Sequence, residues 1–349
     1  MSSEPPIYLD HAATAPVLAA AREAVIEGLA RWANPSSPHA AGRAARAALE
    51  DARSRIAQAL GWRHELILTS GATEALTIAL SRALRHGRAI GAGEHDAVMR
   101  AAPDAQILSL DDGAQVCLDE LAPGALVAIQ QVNNETGVLQ DLDCLIPQVR
   151  EVGGLFLADC AQSAGKLVLP QADFIAISAH KFGGPSGVGA LLVRDLATLA
   201  PSGGQEKGYR GGTENLPGAL GMAAALEAGT GWLGEAARLR DWLDGEVETA
   251  GGVVIARDAP RLPTVAAYRM PGVSSAVQLI RFDTAGIAVS AGSACSSGSM
   301  KASRVLAAMG LDPQTAGEVI RVSIGRETTR AQLSRFLSVW RDIAGRASA

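Results

Sequence analysis

The feature that most constrains this chain is the alternation of short apolar runs, each closed by turn residues, with helical patterns. That alternation marks an α/β fold with a largely parallel sheet, since each strand needs a crossover to return in the same direction. Arg43 to Leu60 sets Leu49, Ala52, Ile56 and Leu60 on one helical face, and Gly61 stops it. Glu65 to Thr69 reads as a short buried strand, and Ala72 to Leu84 as the helix after it. Further strands are expected at Leu126–Val132, Leu155–Ala158, Phe174–Ile177 and Val188–Val193. Near Gly234 the texture changes, and two helical stretches flank short strands at Val253–Ala256 and Thr264–Arg269. Thr329 to Ala344 opens with a Thr-x-x-Gln capping pattern and continues as an amphipathic helix. With 349 residues the chain exceeds the usual size of one core. Residues 15–233 are therefore expected to form a large domain with a mostly parallel central sheet flanked by helices. Residues 1–14 and 234–349 are expected to form a smaller α+β domain.

Composition excludes several classes. Apolar residues at 48% and charged residues at 19% fit a globular chain and exclude a disordered one. Much of the apolar content is Ala and only 4% is aromatic, which suits helices packed closely on a sheet. A formal charge of −5 argues against nucleic acid as the main partner. The four cysteines, Cys117, Cys144, Cys160 and Cys295, form neither a disulfide framework nor a zinc pattern, so no metal site is expected. Met1 to Leu9 holds no apolar signal core and no run is long enough to span a bilayer, so a reducing cytoplasm is the expected location.

The chemistry-bearing residues cluster at expected strand ends. Lys181, in Ser178-Ala179-His180-Lys181, follows a buried strand, where α/β proteins place ligands. Burial lowers the proton affinity of an ammonium and makes a Schiff base feasible, although a strand-end lysine in water is the plainer reading. The glycine-dense turn Phe182 to Gly189 after it lets backbone approach a ligand closely. Asp159 ends the strand at Leu155–Ala158; it suits either a protonated pyridine nitrogen or the N-cap of the next segment. Ser70-Gly71-Ala72-Thr73-Glu74 opens a helix and suits a phosphate, or is a helix cap alone. Gly165-Lys166 lacks the rest of a P-loop, so a nucleotide site has no support. His95 is either a loop histidine or, beside a bound ring, a stacking partner and proton shuttle. Cys295 sits among small polar residues, unlike a structural cysteine, and reads as a reactive thiol; the other three cysteines read as structural. Arg321, a cation inside a strand-like run, needs either a substrate carboxylate or an internal acid.

Taken in order, these segments resemble the cysteine desulfurases of the NifS/IscS type, within the class V aminotransferases of the fold-type I pyridoxal-phosphate enzymes. The resemblance runs from Tyr8-Leu9-Asp10-His11-Ala12-Ala13-Thr14 to about Arg330. It takes in Asn34 to His39, Ser70 to Glu74, Glu94-His95, Asn133 to Gly137, Asp159 to Lys166, Ser178 to Gly187, Gly203 to Glu206, Arg210 to Asn215, the Cys295 loop and Arg321 to Arg326. It implies that Lys181 holds pyridoxal 5'-phosphate, His95 stacks on its ring and Asp159 pairs with the ring nitrogen. Gln162 and Asn134 then contact the ring oxygen or substrate. Ala72, Thr73, Ser178 and His180 hold the phosphate, joined by Thr213 from the other subunit of a homodimer. Asn34 and Arg321 hold the substrate carboxylate. L-cysteine becomes L-alanine, and a persulfide forms on Cys295 in a long, mobile loop.

A free thiol with a pKa near ~8.5 is mostly protonated at neutral pH, so something must activate Cys295, and His95 is one candidate. The stretch Gly87 to Asp112 is shorter than in typical members, and the chain ends at Ala349 without the tail that housekeeping members use to meet an iron–sulfur scaffold. The sulfur acceptor is thereby left open between iron–sulfur and other thio-cofactor pathways. Rival readings are a selenocysteine lyase or aminotransferase, in which Cys295 is incidental, and a non-catalytic accessory of sulfur transfer. The accessory should have lost Lys181, Asp159 or Cys295, and all three are present.

Overall fold

The structure, a computed structural model, describes residues 5–31, 33–119, 121–292 and 303–347. Its strands are β1 (Ile7–Tyr8), β2 (Glu65–Thr69), β3 (Arg88–Gly91), β4 (Gln106–Leu108), β5 (Leu126–Gln130), β6 (Leu155–Asp159), β7 (Phe174–Ser178), β8 (Gly189–Val193), β9 (Val253–Val254), β10 (Val265–Arg269), β11 (Ile287–Ala288) and β12 (Val319–Ser323). Seven of them form one sheet in the order β2-β8-β7-β6-β5-β3-β4. Every residue of β5, β6, β7 and β8 is buried, as expected of strands covered on both faces. All pairings from β7 to β4 are parallel, while β8 runs against both of its neighbours. The exception has a simple cause. The link through residues 179–188 falls short of the dozen or so that a parallel crossover needs, so the chain returns antiparallel.

The expected elements are present with shifted ends. The helix Ala40–Ala59 starts before Arg43 because the His39 side chain caps it, and it buries Ala45, Leu49, Ala52 and Ile56. The helix predicted through Leu84 closes at Arg82. The strand expected through Ala256 ends at Val254, and Ala256 has φ 53°. The Thr-x-x-Gln cap is realised: the Thr329 amide donates to Gln332 Oε1 at 2.9 Å, and the Gln332 amide to Thr329 Oγ1 at 3.3 Å. Strands β3 and β4 have no counterpart in the sequence reading, being too short for a period to show. Neither has the tight crossing of helices Ala19–Ala30 and Leu216–Glu227. A Cβ at Gly28 would stand 2.7 Å from Pro217 Cα, and one at Gly221 2.6 Å from Val25 Cγ2.

Apolar clusters on the two faces of the large sheet make one core, drawn from residues between Ala21 and Leu226. A second gathers Leu243, Val247, Tyr268, Phe282, Phe336 and Trp340 around β10 and β12. Ile7 and Leu9 join this second core, because β1 pairs in parallel with β11. Asp244, fully buried, is held there by Tyr268 Oη and by Arg261, each at 2.6 Å. No helix among the described residues is long and apolar enough to cross a membrane.

One row of residues ties this frame to the cavity beside it. Gly189 lies between Thr69 and Ser178 in register, and a Cβ there would meet Ile177 O at 2.4 Å and Gly71 Cα at 2.7 Å. Gly189→Ala is expected to lower stability by about 1–3 kcal/mol through overpacking. Urea unfolding checks this, and an unchanged midpoint would contradict such close packing.

Candidate active site

A cavity of about 440 Å³ opens where β2, β6 and β7 end. Its walls include Ala72, Thr73, His95, Asn134, Asp159, Gln162, Ser178, His180, Lys181 and Arg321. The sequence separates these residues by up to 249 positions, from Ala72 to Arg321; the strand ends bring them together.

Each wall follows from its element. Asp159 is the last residue of β6 and is 7% exposed. Its Oδ1 accepts the Ala161 amide at 2.9 Å, so the capping role and a place in the cavity coexist. Burial holds its carboxyl above the usual range, offset only in part by that amide and the charges of His95 and Lys181. Lys181 closes the single turn after β7, and its Nζ donates to the carbonyls of Ala12 at 2.6 Å and Ala13 at 3.0 Å. Gln162 Nε2 donates to the same Ala12 carbonyl at 2.9 Å, while its buried Oε1 has no partner. The helix Ala72–Arg82 begins behind Gly71 without a side-chain cap, so its first amides are left for a ligand. A Cβ on Gly71 would come within 3.3 Å of Ser178 Oγ.

His95 caps the helix Asp96–Ala101, its Nδ1 accepting the Ala97 amide at 3.1 Å. That bond places the neutral ring's proton on Nε2, so the ring offers a donor; to take a proton from a thiol, Nδ1 must give up Ala97. Arg321 resolves the choice the sequence left open by keeping an internal acid. Its Nη2 donates to Asp10 Oδ1 at 2.8 Å and its Nη1 to the Asn134 carbonyl at 2.9 Å, while Nε has no partner.

Two expected residues among those described, Asn34 and Thr213, are not in this wall. Asn34 is exposed, and its Oδ1 accepts the Ser36 amide at 2.9 Å. Thr213 is exposed in the loop after Arg210. Cys295 lies outside the described residues, but both flanks of its segment are fixed. Ser290 exchanges backbone hydrogen bonds with Arg321, and Ser303 Oγ donates to Glu135 Oε2 at 2.6 Å. Arg304 pairs with Asp96, the neighbour of His95. Of the cysteines read as structural, Cys160 is buried with its thiol pushed up by burial and Cys117 is partly buried. Cys144, by contrast, is exposed, on the outward side of its helix.

Three acids that lie within the segments quoted from the sequence, but to which it assigned no role, hold the surroundings of the cavity together. Glu74 accepts the Ser70 amide at 2.5 Å and pairs with Arg210 at 3.1 Å, binding the helix start to the loop that carries Thr213. Glu206 takes both Arg53 nitrogens at 2.7 and 2.9 Å and the Leu68 amide at 2.8 Å. Glu94, buried under the rim, accepts the Gln130 amide, and burial keeps its carboxyl well above the usual range. Glu74 also carried a local signal, an acid in a helix's first turn.

Residues 7–336 match the family model described as Aminotransferase class-V. A cysteine desulfurase of Rhodobacter capsulatus is 35% identical, over 98% of this chain and 97% of its own. A cysteine desulfurase IscS of Dictyoglomus turgidum is 34% identical, over 95% and 93% respectively. Among solved structures, a NifS-like protein from Rickettsia africae has a TM-score of 0.90 at 28% identity, covering 97% of this chain and 99% of that one. SspA in complex with cysteine has a TM-score of 0.80 at 27% identity, covering 93% of this chain and 100% of that one. The chain belongs to the class-V aminotransferase family. Within it, the two sequence relatives are cysteine desulfurases, one of them IscS, and the Rickettsia neighbour is NifS-like.

The site's histidines carry a pH signature. His11 and His180 are both pulled down to about 4, chiefly by burial and further by the charges of Lys166 and Lys181 respectively. Between the ordinary value of 6.5 and about 4 the unfolded chain binds more protons at these rings, so they cost stability as the pH drops through that window. The raised carboxyls of Asp159, Glu94 and Glu135 work in the opposite sense. The comparison with a His11→Asn/His180→Asn double variant isolates the histidines: its Tm is expected to fall less than the wild type's between pH 6.5 and 4. Parallel curves would contradict the assignment.

Proposed function

We propose that this chain is a pyridoxal-phosphate-dependent cysteine desulfurase, which converts L-cysteine to L-alanine and takes the sulfur onto Cys295. The observation that carries this reading is the meeting of Lys181, Asp159, His95, Gln162 and an uncapped helix start in one cavity. The residues fit the cofactor. The buried Gln162 Oε1, without a partner among the described residues, the uncapped amides after Gly71 and the carboxyl of Asp159 suit three separate polar groups of the cofactor. Lys181 would hold it covalently, Asp159 its ring nitrogen, and His95 its ring face. Gln162 and Asn134 would meet its ring oxygen, and Ala72, Thr73, Ser178 and His180 its phosphate. Thr213 of the partner subunit in a homodimer would complete the phosphate site, which agrees with its exposed place in this chain. When bound, the cofactor supplies a conjugated ring that draws electron density from the substrate's α-carbon.

The remaining chemistry belongs to the chain. Arg321, oriented by Asp10 and Asn134, has further N–H groups for the substrate carboxylate. The Lys181 amine, once released, is placed to move a proton at the α-carbon. The Cys295 thiolate attacks the substrate sulfur: an S–S bond forms, the Cβ–S bond breaks, and its electron pair leaves with the three-carbon fragment, which gains protons to become alanine. Cys295 follows Ser290 by five positions, and an extended stretch of that length reaches roughly 17 Å. Cys295 can therefore reach a cavity walled by Arg321, the partner of Ser290. The division into residues 15–233 and residues 1–14 with 234–349 puts this thiol on the smaller body and Lys181 on the larger. The sulfur would pass to an acceptor or scaffold protein for iron–sulfur clusters or other thio-cofactors, in a reducing cytoplasm.

The test is purified protein with L-cysteine, measuring alanine and sulfide together in the presence of a thiol reductant. Equal yields support the reading; pyruvate with ammonia would overturn it. Cys295→Ser is expected to keep the visible cofactor absorbance and to lose sulfide release by on the order of 100-fold or more, the effect of removing a nucleophile. Undiminished turnover in that variant would take Cys295 out of the reaction.

A further inference from the structure

A second cavity, of about 180 Å³, lies behind the first, and Ala12 and Lys181 wall both. Its donors outnumber its acceptors. Lys166 is partly buried, donates to the Gln162 carbonyl at 2.9 Å, and makes no ion pair among the described residues. Thr264, in the same wall, is 2% exposed, and its Oγ1 has no partner. Trp232, also in the wall, has a buried Nε1 without a partner. Arg326 stacks over the Trp232 ring at 5.4 Å and, among the described residues, bonds only backbone carbonyls, Gly229 O at 2.8 Å among them. The single acid in the lining is Glu327, which is exposed. A cation with no counter-charge and two donors without acceptors, all withdrawn from water, are costly, and an anion there compensates them.

We infer that this second cavity is a binding site for a small oxyanion, carboxylate or inorganic, gripped by the Lys166 ammonium and the Thr264 hydroxyl. The inference goes beyond the proposed activity, since it concerns a site on the far side of Lys181 and is read without turnover. It carries a pH dependence. Burial and the Lys181 charge pull Lys166 down to about 7, so the anion's main partner gains its charge as the pH falls through neutrality. The other titratable groups facing the cavity are His11, Lys181, Arg326 and Glu327; His11, at about 4, stays neutral in that range.

The test uses the cofactor-loaded protein, so that the first cavity is filled. Crystals soaked in sodium selenate are expected to show an anomalous peak between Lys166 Nζ and Thr264 Oγ1. In solution, thermal midpoints titrated with sodium acetate and with sodium sulfate at fixed ionic strength separate the carboxylate from the inorganic source. Whichever binds should do so on the order of tenfold more tightly at pH 6 than at pH 8.5. Lys166→Met, close to isosteric, is expected to weaken binding by about tenfold or more, one charge-assisted contact being lost. Thr264→Val gives the second reading if Lys166→Met does not fold. An empty cavity in selenate, or variants that titrate like the wild type, would overturn the proposal.

Discussion

The row formed by Thr69, Gly189 and Ser178 is the constraint on which the cavity depends. Three strand ends meet there, and the absence of a side chain at Gly189 lets the turn at Gly71 lie directly over the sheet. From that contact the helix Ala72–Arg82 takes its position, with its uncapped first turn facing the residues that follow β7. The same hairpin-like return that makes β8 antiparallel holds Lys181 in a short turn and not on a long crossover. A bulkier residue at 189 would separate the helix start from the lysine and dissolve the site without touching any chemical group in it.

The second core supplies the other wall. Ala12 and Ala13, which hold the Lys181 amine, follow directly on β1, and β1 belongs with β11 to that core. Arg321 comes from β12, which pairs with β10 in that core, and its guanidinium reaches Asp10 and the Asn134 carbonyl. Lys181 thus stands at a seam, with a cavity on each side. The electrostatics follow from burial: carboxyls in the seam keep their protons longer than in water, and its histidines shed theirs sooner.

Much of this was legible in the sequence, for reasons that differ from residue to residue. Lys181, Asp159 and Thr73 sit at strand or helix ends, and ends are where period, turn residues and ligand chemistry coincide. At Asp159 one carboxylate oxygen caps a turn through the Ala161 amide, and no helix follows before β7 for it to cap. At Arg321 the sequence could not choose between substrate and internal acid, since the Asp10 partner stands 311 positions away. Lys166 was visible only as half of an incomplete P-loop, because its isolation from acids is a property of the seam and not of its neighbours in sequence. Asn34 and Thr213 stand in exposed loops, where no period marks which residues face the cavity.

The central claim is that the amine at position 181, and no other, carries the cofactor. Borohydride reduction of the loaded protein, followed by proteolysis and peptide mass spectrometry, tests it directly. A pyridoxyl adduct on the peptide containing Lys181 alone is the predicted result. An adduct on Lys166, or no adduct on any lysine, would contradict the account.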